Sequence, residues 1–217
     1  MKLSDGEKLI ILMLADLQKA LNVNGEIDGA FVSEAINRDK LWAINWQYQS
    51  IPFEPEDDPP AVKQTADILD MWMSIEEAYA DLSEADKKRV AIEAEPFGTN
   101  VRFEGFDANH EDHYGIARFL VEDMHRYKYY AKRELNSHHS SVPAYLRMYR
   151  IFELMHRGLG NRRRLNANEI RSLLAARMAL CTFSSPDALS PHATGTLLLK
   201  SVTKARRSLA KRCAWNI

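Results

Sequence analysis

The chain has 217 residues, 46% of them hydrophobic and 27% charged, with a net charge of −1. That is enough apolar mass to bury a core, and the balance excludes a wholly disordered chain. Two cysteines, Cys181 and Cys213, are too few and too late to staple a fold, which points to a reducing compartment and a cytoplasmic protein.

The start, MKLSDGEKLI, places acids where a secretory leader carries basic residues. No run approaches the roughly 18–20 apolar residues of a membrane span. A first helix is predicted from Asp5, because Asp5 and Glu7 suit its positive end. Leu9, Leu12, Met13, Leu17 and Leu21 recur at helical spacing, and Asn24-Gly25 breaks the pattern. A second helical stretch begins near Asp28 with Phe31, Val32, Ala35 and Ile36 as its apolar face. After a polar interruption at Asn37-Arg38-Asp39, Leu41, Trp42, Ile44, Trp46 and Tyr48 resume it, the two tryptophans reading as core anchors. Residues 1–50 thus form an N-terminal helical segment.

Residues 51–60, SIPFEPEDDPP from Ser50 onward, are an acidic, proline-rich connector in which neither helix nor sheet can form. The helix predicted from Ala61 to Leu82 has the clearest periodicity, through Val62, Ala66, Leu69, Trp72, Ile75, Tyr79 and Leu82. Asp67, Asp70, Glu76, Glu77 and Asp81 fall on its other side. Ser83 with Asp86 starts a short helix that Pro96 and Gly98 end. Val101–Phe106 reads as an extended piece laid over the core. Asp107 then caps a long predicted helix to about Leu135, with Tyr114, Leu120, Val121, Met124 and Tyr127 inward. Asn136–Ser141 is a polar turn, Pro143 fits the first turn of the next helix, and Asn166 with Glu169 opens another. Residues 61–181 are read as the helical body. Residues 182–217 are read as a linker and a basic helix from about Ala193 to Ala214. The expected fold is all-α, a bundle of seven to eight helices with little or no β-sheet.

Several of these residues share an order and spacing with a known family. Gly105-Phe106-Asp107 is followed by Glu111 and Tyr114, then by Asn136 and Tyr145-Leu146-Arg147-Met148. Leu165-Asn166-Ala167-Asn168-Glu169-Ile170 completes the series. In these the chain resembles the bacterial YfbU-type family, closely over residues 60–180, loosely over the N-terminal helices and not in the tail after 182. The resemblance implies a helical, cytoplasmic bacterial protein and carries over no catalytic residue.

Standard chemical motifs are absent. The sequence has no Gly-x-Ser-x-Gly elbow, no Gly-x-x-x-x-Gly-Lys phosphate loop and no Gly-x-Gly-x-x-Gly fingerprint. No cofactor is expected. One candidate metal set is Asp107, His110, Glu111 and His113, where imidazoles three apart stand beside carboxylates. It lacks the His-Glu-x-x-His spacing of zinc proteases, and a solvated first turn accounts for it more simply. His138-His139 form a second polar cluster. With a helix of nearly thirty residues between them, the two clusters are expected about 40 Å apart.

The charges are divided unevenly. Residues 1–100 carry 9 Lys+Arg against 20 Asp+Glu, and residues 101–217 carry 20 against 10. Either the halves neutralise one another by packing, which is the simpler reading, or the second half presents a basic face. Candidate anion-binding residues are Arg162, Arg163 and Arg164 ahead of a helix start, and the stripe Lys200, Lys204, Arg207 and Lys211 of the final helix. The first reading of function is a non-enzymatic binding or regulatory module that forms a homo-oligomer. The second is nucleic-acid or phosphate binding through the basic half. The third is a metal-dependent hydrolase.

Overall fold

The structure, a computed structural model, describes residues 2–157 and 164–178. Over these residues the chain is all-α, with eight helices and no strand, as the periodicity predicts. No described helix is long and apolar enough to cross a membrane. The predicted linker and final helix, Cys181 and the Arg162–Arg163 pair lie outside the described residues.

Helix α1 (Asp5–Ala20) opens on a capping box. The Glu7 amide donates to the Ser4 hydroxyl at 3.3 Å and the Ser4 amide to the Glu7 carboxylate at 2.7 Å. The turn that ends it falls at Asn22 (φ 50°), just before the predicted Asn24-Gly25 break. Helix α2 (Gly29–Asn37) starts on Asp28, whose carboxylate accepts from the Ala30 and Phe31 amides. Helix α3 (Trp42–Gln47) carries the two tryptophans, their rings edge-to-face at 5.4 Å. The indole N–H of Trp46 donates to Asp58 at 2.7 Å, which ties down the acidic connector.

Helix α4 (Pro60–Ala80) is the central element, and α6, α7 and α8 all pack on it. Val62, Ile68, Leu69, Met71, Trp72 and Ile75 are fully buried, so its apolar face is covered on several sides. Helix α5 (Glu84–Glu93) begins at Ser83, whose hydroxyl accepts from the Asp86 amide at 3.1 Å. The extended stretch that follows buries Val101, Phe103 and Phe106.

The long helix predicted from Asp107 to Leu135 does not form. Helix α6 covers only Asp112–Arg118, widens into a π-helical turn at Phe119–Asp123 and stops. The chain then turns through His125 (φ 53°), a 3-10 turn at Lys128–Tyr130, and Lys132 (φ 66°). Aromatic residues are indifferent helix formers, and here they find better partners on α4. The buried Tyr130 hydroxyl donates to the Leu69 carbonyl at 2.7 Å. Arg133 forks onto Glu76 at 2.8 and 2.9 Å. Burying a tyrosine and forming a bidentate ion pair outweigh the few hydrogen bonds a continued helix adds. Periodicity sets Glu76 on the outer side of α4, yet its carboxylate lies in this half-enclosed pair.

Helix α7 (Val142–Arg157) buries Tyr145, Met148 and Phe152. Helix α8 (Ala167–Met178) opens on the predicted box, with the Glu169 amide donating to Asn166 and the Asn166 amide to Glu169. It packs against α7 and α5.

Candidate functional site

Two segments cross between α5 and α7, residues 103–111 and 134–142. Phe106 and Asn136 form an isolated parallel bridge. The Phe106 amide donates to the Leu135 carbonyl at 2.9 Å, and the Ser137 amide to the Phe106 carbonyl at 3.0 Å. Gly105 permits the approach. Its φ is +97°, and a Cβ there would sit 2.1 Å from the Leu135 oxygen. The Asn136 side-chain oxygen accepts from the Ala108 and His138 amides, locking both loops from within.

Glu111 is the hub of this crossing. Its carboxylate accepts from the amides of Asp107, Ser141 and Val142 at 2.8, 2.8 and 2.9 Å. The Ser140 and Ser141 hydroxyls add two more bonds, at 3.2 and 2.9 Å. The Ser141 amide directly precedes α7 and the Val142 amide opens it, so a carboxylate from another segment caps that helix. Partial burial opposes its charge, but the donated main-chain bonds prevail and hold its pKa below the usual glutamate value. Asp107 is likewise held low, first by the Asn109 amide and then by His110. Its Oδ2 lies 2.8 Å from His110 Nδ1, while the His110 ring stands in solvent.

His113 faces the other way. Its Nε2 lies 3.0 Å from the Gln64 side-chain oxygen on α4, and its ring is 5.6 Å from that of Phe106. Burial pushes its pKa down, and the nearby Glu111 and Asp112 offset this only in part. A neutral ring donating its Nε2–H to Gln64 fits both facts.

Glu104 links the crossing to the core. Its Oε2 pairs with the guanidinium of Arg177 from α8 and lies 3.6 Å from His139 Nε2. Arg177 is only 7% exposed and lies 3.9 Å over the Phe97 ring. Trp72 and Tyr145 also face it, with their ring centroids 5.8 and 5.7 Å from the guanidinium carbon.

The structure thus brings the two histidine clusters to one crossing rather than setting them 40 Å apart. The intervening helix that would separate them is absent. Of the four candidate metal residues, Asp107 and His110 pair with each other, Glu111 clasps α7, and His113 turns to α4. Among the described residues no three His, Cys, Asp or Glu side chains come together as a metal site. Of the candidate anion-binding residues, Arg164 is exposed and paired with Asp81. Arg162, Arg163, Lys200, Lys204, Arg207 and Lys211 lie outside the described residues. Arginines of the basic half pair with acids of the acidic half at Arg133–Glu76, Arg164–Asp81 and Arg171–Glu93, as the packing reading of the charge split expects.

The most open chemistry is apolar and lies on α1. No residue of this helix is buried. Its inner side meets α2 closely: the Gln18 side chain accepts from the Gly29 amide at 2.8 Å and donates to the Ile27 carbonyl at 2.9 Å. A Cβ on Gly29 would lie 3.0 Å from the Ala15 Cα. The stripe Leu9, Ile10, Met13, Leu14, Leu17 and Leu21 faces outward, each 55–70% exposed, and Val23 and Ile27 extend it. The spacing of this stripe is plain in the sequence; the side of the helix that meets the body is not.

A family model described as the YfbU domain matches residues 1–176. The match takes in the first sixty residues, α1 included, and stops before the basic tail. No curated protein matches the chain.

Proposed function

The chain belongs to the YfbU family, and from that premise we propose that it is a non-enzymatic binding protein of the bacterial cytoplasm whose working surface is the outward face of α1. The observation that carries this reading is the unburied stripe from Leu9 to Leu21. A run of large aliphatic side chains in water is costly, and contiguous apolar patches of this kind mark places where another surface docks. The polar crossing supports the same reading from the other side. The Glu111 carboxylate is ionised and accepts hydrogen bonds from three main-chain amides and two serine hydroxyls, so its lone pairs are committed to holding loops.

Methionine oxidation tests the reading on the full chain. Met13 is 65% exposed, whereas Met71 and Met148 are fully buried and serve as slow references. If the face is a working surface, Met13 in a concentrated lysate of the producing cells oxidises well below the rate of a free methionine. Oxidation at the free rate, in lysate and in purified protein alike, overturns the reading.

A further inference from the structure

Resting on that reading of α1, we infer that the partner on its outward face is a second copy of this chain, with the two α1 helices packed antiparallel about a two-fold axis.

Area is the first argument. Eight apolar side chains between Leu9 and Ile27 are open. At on the order of 100 Å² each they present about 800 Å², which is one partner's share of a standard interface and above the usual patch on a monomer. The second argument is the shape of the stripe. Ile10, Leu14, Leu17 and Leu21 follow one another at intervals of four, three and four, which is the seam of a coiled coil, and Leu9 and Met13 flank it. Such a seam is its own complement: knobs from one copy enter the holes of an identical helix, as an isologous contact requires.

Charge gives the direction. Glu7 lies in the first turn of α1, three residues before Ile10 and in line with the seam. A parallel pair sets Glu7 beside its own copy and aligns the two helix dipoles. An antiparallel pair separates the two Glu7 carboxylates to opposite ends of the contact and opposes the dipoles. The close seat of Ala15 and Gln18 against Gly29 fixes α1 on α2, so the helix is presented as a rigid edge.

The test is sedimentation of the full chain across a wide concentration range, with charges placed at the two ends of the seam. Ile10 and Leu21 are 58% and 70% exposed, so substitution there leaves the fold intact, which circular dichroism checks. The native chain is expected to be a dimer. Ile10→Glu alone and Leu21→Lys alone each weaken it by about a hundredfold or more, since two-fold symmetry counts every substitution twice. The double variant Ile10→Glu/Leu21→Lys recovers most of the loss, because antiparallel packing sets each glutamate near a lysine. Failure of the double variant to recover overturns the antiparallel arrangement. A native dimer that Ile10→Glu leaves unchanged overturns the inference, since the contact is then elsewhere. A native monomer with Met13 protected in lysate only also overturns it, while the broader reading of the surface survives. Met13 unprotected in both settings removes both.

Discussion

A carboxylate that accepts five hydrogen bonds, three from main-chain amides, is held in one place and in one charge state. That is the position of Glu111. Glu111→Gln keeps the shape but turns an amide NH₂ toward donors, leaving at least one buried N–H without an acceptor. We expect a loss of about 2–3 kcal/mol in urea unfolding. A loss under about 0.5 kcal/mol contradicts the clasp. His113 gives a pH signature. Burial holds its folded pKa below the ordinary 6.5, so as the pH falls through that value the unfolded chain takes the proton first. Stability is therefore full above 6.5 and declines below it, until the folded ring also protonates. His113→Gln, which retains a donor, removes that limb of the stability–pH curve. Glu111 and Glu76 behave oppositely in cause and alike in sign. Both are held below the ordinary 4.5 despite burial, so the stability they give is present above 4.5 and is lost as the pH falls below it. Acid unfolding monitored by fluorescence should thus show two successive declines, and His113→Gln only the lower.

Elements here begin and end where side chains find partners outside their own helix. Tyr130 and Arg133 leave the predicted 107–135 helix for Leu69 and Glu76 on α4. Glu76 also accepts from the Phe103 amide and the Tyr129 hydroxyl, so one carboxylate joins α4, the extended stretch and the aromatic turn. Glu76→Ala leaves Arg133 half-buried and unpaired. We expect a cost of about 3 kcal/mol, at the low end for a broken buried pair because Arg133 keeps the Phe103 carbonyl and the Tyr130 ring. Gly105→Ala is the sharper test of the crossing. The left-handed φ strains any side chain, and the added Cβ meets the Leu135 carbonyl. A loss of about 2–4 kcal/mol in thermal or urea unfolding is expected. A near-neutral Gly105→Ala would mean the two loops do not touch as described.

At the scale of the whole molecule, α1 is the one described helix with an apolar stripe and no buried residue. If its face is closed by a second copy, association and folding are linked, and the midpoint of thermal unfolding rises with protein concentration. Ile10→Glu should abolish that dependence while leaving the dilute melting temperature nearly unchanged, because residue 10 contributes little to the core of one chain. A concentration-independent midpoint in the native chain speaks against the linkage. The charge split works at this scale too. Acids before residue 100 meet arginines after it at Glu76–Arg133, which is largely enclosed, and at Asp81–Arg164 and Glu93–Arg171 on the surface, so part of the apparent basic surplus is neutralised within the chain.

The sequence by itself determined the all-α class, the α4 core stripe, a helix start near Asp28, the helix-start signals at Ser83 and Asn166, and the family resemblance. These rest on local rules: helical period, first-turn chemistry and the order of short motifs act within a few residues of one another. The tertiary structure alone decided that the 107–135 stretch breaks after α6, that the two histidine clusters meet, that Glu111 caps α7, and that the apolar stripe of α1 faces outward. Each of these depends on partners tens of residues away, such as Glu76 for Arg133 or Ser141 for Glu111. A helical period says that a face is apolar; only the packing of the rest of the chain says whether anything covers it.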